Sequence, residues 1–154
     1  MEKFLKFLTF SLIAALIVFA SCGGDDDDDN DATGPDPVEE IVEDLIADNG
    51  NWVLNTGGAT LETVVAEDWE GFGLQLSGSA SSLSYSTSGS ADNTVWAASG
   101  SWTFVEGSDG KKALRDDGVE VDITASATSL RLEFDIPAGR SNGIVGRWSF
   151  SFGK

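Results

Sequence analysis

One pattern restricts this chain more than any other. From about residue 51 to the end, apolar and polar side chains alternate in segment after segment. Phe72, Leu74 and Leu76 oppose Gly73, Gln75 and Ser77, and Leu83 and Tyr85 oppose Ser82, Ser84 and Ser86. Trp96, Ala98, Gly100, Trp102 and Phe104 share one parity, as do Val119, Val121 and Ile123. Leu130, Leu132, Phe134 and Ile136 repeat it, and so does the run Ile144, Gly146, Trp148, Phe150 and Phe152. Period two sends successive side chains to opposite faces of a strand, so each segment reads as a strand with one dry face and one wet face. Antiparallel sheets tolerate that arrangement, whereas parallel sheets bury both faces.

The punctuation agrees. Asp117-Gly118 falls between two such runs and reads as a type I′ hairpin, which needs positive φ at both central residues. Ser108-Asp109-Gly110 marks another hairpin, and residues 137–143 make a longer loop into the last strand. Short strands joined in sequence give an all-β, antiparallel up-and-down meander. Its apolar face is hidden either by closure into a β-barrel or by packing as a β-sandwich.

Ahead of the sheet, residues 38–47 change to helical spacing: Val38, Ile41, Val42, Leu45 and Ile46 form one stripe. Asp36 is placed to cap this short helix, with Pro37 at its first position, Glu39 three residues beyond the cap and Gly50 after its end. The stripe is expected to pack on the β-domain, with a partner-binding helix as the alternative.

The first 37 residues carry no core. Lys3 and Lys6 precede an apolar run at residues 7–20, the layout of a secretory signal and too short to span a bilayer. Five aspartates at 25–29 follow the chain's one cysteine, Cys22. A segment of Gly, Asp, Asn, Thr and Pro cannot bury enough surface to offset its ordering entropy, so residues 22–37 read as an acidic tether. The divisions are therefore a signal at 1–21, a tether at 22–37, a short helix region at 38–50 and a β-domain at 51–154. Within the tether, Asp29, Asp31, Thr33 and Glu40 match the spacing of a calcium loop, although no helix precedes them and two prolines interrupt them.

Phe19-Ala20-Ser21-Cys22 resembles a bacterial lipobox. The resemblance implies cleavage before Cys22, a lipid thioether on its sulfur and an acyl chain on the new amino group. Two or more chains anchor a protein stably. Gly23-Gly24 and the aspartates resemble the export signal of Bacteroidetes surface lipoproteins, implying an outer-membrane protein facing the exterior, the periplasmic face being the alternative. Asn51-Trp52-Val53-Leu54, Tyr85-Ser86-Thr87-Ser88-Gly89, Ser99-Gly100-Ser101-Trp102-Thr103-Phe104, Arg115-Asp116-Asp117-Gly118 and Gly146-Arg147-Trp148-Ser149-Phe150 together resemble the lipocalin-like β-domains of such lipoproteins. That implies a lipocalin-like barrel.

The chain has 26 acids, 9 bases and no histidine, a net charge of −17. No basic patch exists to neutralise phosphates, which argues against nucleic acid as a partner. Without histidine, Ser–His and Cys–His nucleophiles and imidazole metal sites are excluded. Asp116 and Asp117 are explained by their turn, and Glu67, Asp68 and Glu70 by a loop around Trp69, so no catalytic set and no cofactor are expected. Binding is the better expectation. Five tryptophans supply rings that stack on sugars or line an apolar pocket. Trp52, Trp96, Trp102 and Trp148 read as core. Trp69, between acids, reads as the exposed ring, and Trp69 and Tyr85 are the candidate contacts to a glycan or small apolar ligand. Another outer-membrane protein is the alternative partner.

Overall fold

The computed structural model describes residues 34–139 and 144–154. Helix α1 covers Pro37–Ile46, and a 3-10 turn at Ala47–Gly50 leads into the sheet. The strands are β1 (Asn51–Leu61), β2 (Val64–Val65), β3 (Gly73–Ser79), β4 (Ser82–Ser88), β5 (Ser99–Phe104), β6 (Lys112–Arg115), β7 (Glu120–Ser126), β8 (Ser129–Ile136) and β9 (Gly146–Gly153). Neighbours in sequence pair antiparallel from β3 to β9, and β1 pairs with both β3 and β9. The result is a closed eight-stranded antiparallel barrel, with β2 a short addition beside β1.

Closure depends on an irregularity in β1. Its first residues pair with β3, and its later ones pair with β9 across a register shift between Leu54 and Ala59. Residues 55–58 therefore stand opposite Ser151 alone, and the extra length re-aims the strand. Glycine is required there: a Cβ on Gly58 would lie 2.5 Å from the Ser151 carbonyl oxygen.

The alternation is obeyed almost throughout. Leu74, Leu76, Leu83, Tyr85, Trp102, Val121, Ile123, Leu130, Leu132, Phe134, Ile136, Trp148, Phe150 and Phe152 are all buried inside the barrel. A buried aromatic ring removes roughly 150–250 Å² from water, worth about 4–6 kcal/mol gross. The interior is correspondingly full: Phe150 alone is within ring contact of Trp69, Phe72, Trp96, Phe134, Trp148 and Phe152.

Helix α1 closes the end where β1 begins. Asp36 accepts from the Val38 amide at 2.9 Å, as an N-cap should. Val42 and Leu45 are buried and Ile41 and Ile46 pack against the core, so the stripe is used on the barrel. Trp52 Nε1 donates to the Leu45 carbonyl at 2.9 Å. Lys154 ties the other terminus to the same place: its ammonium donates to the Ala47 carbonyl at 2.7 Å and lies 4.3 Å from the Trp52 ring centroid.

Three local expectations are corrected. Trp96 and Ala98 are not on a strand: β5 starts at Ser99, and an Asp92 turn intervenes. The last strand starts at Gly146, after Ile144 and Val145. Asp117-Gly118 is not a type I′ pair. Only Gly118 has positive φ, and its amide bonds the Arg115 carbonyl at 2.8 Å, the pattern of a three-residue loop with a glycine bulge. Positive φ at both residues occurs instead at Asp109-Gly110, where the Lys111 amide bonds the Ser108 carbonyl at 3.0 Å, and at Glu62-Thr63 between β1 and β2.

Candidate functional site

Among the described residues, apolar surface and charge come together at both ends of the barrel. The first place is an open groove of about 640 Å³ beside α1. Ile41 of the helix, Val105 and Gly107 of the β5–β6 loop, and Ile123 and Ala125 of β7 line it, with Lys111, Lys112 and Asp122 at the rim. It exists because the β5–β6 loop reaches up to the helix: a Cβ on Gly110 would meet the Ile41 side chain at 3.0 Å.

The rim is a ladder of charges running across the sheet. Lys112 bridges Glu120 at 2.6 Å and Asp122 at 2.9 Å, while Arg147 bridges Asp122 at 2.8 Å and Asp135 at 2.9 Å. Hydrogen bonds from Lys112, then from Arg147, hold the Asp122 carboxyl below its ordinary value. Hydrogen bonds to Glu120 and Asp122 hold Lys112 above its own. Both groups stay charged around neutral pH, so an apolar molecule in the groove would lie against a fixed ionic edge. Ligand pockets typically occupy about 300–1,000 Å³ and combine apolar walls with a few polar groups, which this groove matches in size and lining.

The second place is the opposite end, where residues 89–98 connect β4 to β5. The Asp92 carboxylate accepts from the Thr94 amide and hydroxyl, and the Val95 and Trp96 amides bond the Asp92 carbonyl. This tight turn drives Val95 and Trp96 into the barrel mouth, where both are 0% exposed. Trp96 meets Phe72, Tyr85, Trp102, Phe134 and Phe150. Over its face lies Arg115, with the guanidinium carbon 4.5 Å from the ring centroid. Arg115 is 1% exposed. It donates to the Val95 carbonyl at 2.9 Å and to Asp117 at 2.6 Å.

Trp96 Nε1, Trp102 Nε1 and Trp148 Nε1 are buried without a protein hydrogen-bond partner, while Tyr85 Oη and the Arg115 side chain lie within hydrogen-bond reach of each other in a poorly aligned pair. A buried donor left unpaired costs about 1–3 kcal/mol. Burial raises the Tyr85 hydroxyl above its ordinary value, helped by the charges of Asp116 and Asp117 and opposed by the Arg115 charge and a hydrogen bond with that side chain. The hydroxyl therefore stays protonated.

The candidate contacts are divided by the fold. Tyr85 belongs to this cluster. Trp69 is not an exposed ring: it is 3% exposed, edge-on to Phe72 at 5.1 Å and to Phe150 at 5.0 Å. The apolar core is a better solvent for an indole than water, and a 3-10 turn at Glu67–Trp69 lets the ring turn inward while the acids face out. Trp69 touches the floor of a trough of about 590 Å³ with Glu67 and Glu70, but its face offers no stacking platform. Asp29, Asp31 and Thr33 lie outside the described residues, as does Cys22. Glu40 is exposed on α1, its amide bonded to the Asp36 carbonyl at 3.1 Å. Among the described residues no group of three or more His, Cys, Asp or Glu is placed to hold a metal ion. None of the described helices is long and apolar enough to cross a membrane.

Sequence reasoning missed Arg115. In Lys112-Ala113-Leu114-Arg115 the large apolar residue, Leu114, faces out at 46% exposure, while Ala113 and Arg115 face in. The available signal was register: Ala113 is opposite Val121 and Arg115 is opposite Trp102, both inward. Comparison with protein-family models, curated proteins and solved structures returned no match to this chain.

Proposed function

We propose that the chain is a lipid-anchored envelope protein, held in the outer membrane through Cys22 and facing the exterior, whose barrel binds a small apolar molecule in the groove beside α1. The groove is the observation that carries this reading. The interior is filled with aromatic side chains, so space for a ligand lies at the ends. The helix-end groove has an apolar floor and a charged rim. A glycan has less support, because all five tryptophans and Tyr85 are buried. The stripe of α1 that would suit a protein partner is taken up by the barrel.

Two measurements test the two halves. The tether half expects Cys22→Ser to leave the membrane fraction on flotation, and a variant that still floats contradicts it. The groove half expects the fluorescence of 1-anilinonaphthalene-8-sulfonate to rise on binding. Ala125→Trp should fill the groove and abolish that rise while the chain stays folded. Unchanged dye binding in the variant would move the ligand elsewhere.

A further inference from the structure

Three of the five large apolar side chains left exposed among the described residues gather at one place: Val53 on β1 and Val64 and Val65 on β2. The place is made by the parting of β1 from β3. β1 pairs with β3 through Asn51–Val53 and through a bond from the Leu54 amide to the Phe72 carbonyl at 3.0 Å. Beyond that point β1 bulges, and at Thr60–Leu61 it has β2 as its partner on that side. The gap left between β1 and β3 is the trough of about 590 Å³ over Trp69.

Its walls differ in kind. One is apolar: Val53 and Val65 are 62% and 50% exposed, with Leu54 and Ala66 beside them. The bulge adds Gly57 and Gly58, which present only backbone. The 3-10 turn adds two carboxylates. Residues three apart in such a turn stand one above the other, and Glu67 and Glu70 both line the trough.

No lysine or arginine lines it. Among the described residues neither carboxylate has a base within ion-pair distance. The neighbouring charges are engaged elsewhere. Asp68 lies on the other side of the turn, in a hollow with Asp92. Glu62 accepts from the Arg147 amide at 2.7 Å, and the Arg147 guanidinium is held by Asp122 and Asp135.

The apolar gap makes the site, and the carboxylates set the sign of what fills it. Exposed valines gain by being covered with hydrocarbon. A net charge of −17 draws cations toward the chain. A protonated amine carries three donors, enough for both carboxylates. A metal ion is a poorer match, since it takes six or more oxygens and no third acidic, histidine or cysteine side chain among the described residues joins these two.

We propose that this trough binds a small organic ammonium ion, its hydrocarbon body on Val53 and Val65 and its ammonium between Glu67 and Glu70. The site is separate from the groove beside α1 and does not rest on that reading.

The test uses the purified full chain in non-ionic detergent, labelled with ¹⁵N-tryptophan, at neutral pH and constant ionic strength. Phenethylamine is the probe, with phenethyl alcohol and hydrocinnamate as its neutral and anionic counterparts. The indole signal of Trp69, at the trough floor, should move and saturate with phenethylamine. The alcohol should need about tenfold more, and the acid should not saturate. Exposed ion pairs are individually weak, so Glu67→Gln or Glu70→Gln alone should raise the amine midpoint about threefold and the double variant about tenfold. Val65→Lys, which sets a cation on the wall, should abolish the response. A Trp69 signal unmoved by phenethylamine, an alcohol that binds as tightly as the amine, or a double variant with the original midpoint would overturn the proposal.

Discussion

The two ends of this barrel are closed by opposite means. At the helix end, a ten-residue amphipathic helix lays Val42 and Leu45 onto the core, and the one indole N–H there, from Trp52, finds the Leu45 carbonyl. At the other end, a single turn inserts Val95 and Trp96, and a buried cation clamps them by accepting no bond and donating two. The helix end is an ordinary cap, in which apolar area is covered and polar groups are paired. The other end concentrates charge and unpaired donors within an otherwise aromatic interior. Stability alone accounts for the first arrangement. It does not account for the second, because apolar side chains of similar volume would close the mouth without desolvating a guanidinium.

That contrast can be broken by substitution, and the expected effects fall in order. Trp96→Ala should cost the most, about 3–5 kcal/mol, since it empties the space on which five other rings pack. Leu45→Ala should follow at about 2–4 kcal/mol by loosening the helix from the sheet. Both are read from urea unfolding midpoints.

A pair of smaller changes sharpens the comparison. Trp52→Phe strands the Leu45 carbonyl and should cost about 1–2 kcal/mol beyond the lost ring area. Trp102→Phe removes an N–H that has no protein partner, so it should cost less than Trp52→Phe. Equal costs would mean that the two ends do not differ in this respect.

The smallest effect is on pH dependence. The Asp122 carboxyl is held low, so its contribution is present above its unfolded value of about 3.9 and is lost as pH falls through the folded value. Lys112 is held high, so its contribution is present below its unfolded value of about 10.4 and is lost as pH rises through the folded one. Asp122→Asn should flatten the acid limb of the stability profile. An unchanged acid limb would show that this exposed ladder contributes nothing measurable.

Much of the architecture was written in the residue pattern because period two is a direct consequence of strand geometry. Leu130, Leu132, Phe134 and Ile136 all point inward as their spacing demands. The helix cap at Asp36 was equally plain, since capping is local chemistry. The signal failed where long-range packing outweighed local character. Trp69 sits among acids yet turns inward to Phe72 and Phe150. Trp96 continues the parity of β5, but the Asp92 turn takes it off the strand. Arg115 is the clearest case. Hydrophobicity places Leu114 inside, and only pairing with Trp102 and Val121 on neighbouring strands puts Arg115 and Ala113 there. The donor cluster therefore could not be read from any single segment, because three strands and a turn contribute one residue each.

The most direct test follows the five indole N–H signals by nuclear magnetic resonance in the ¹⁵N-tryptophan-labelled full chain. The account predicts the hydrogen-bonded signature, a downfield proton shift with a weak temperature dependence, at Trp52, whose N–H is bonded to the Leu45 carbonyl, and not at Trp96 or Trp102, whose N–H groups have no protein acceptor. If Trp96 and Trp102 show the same signature as Trp52, the distinction between the two ends is wrong.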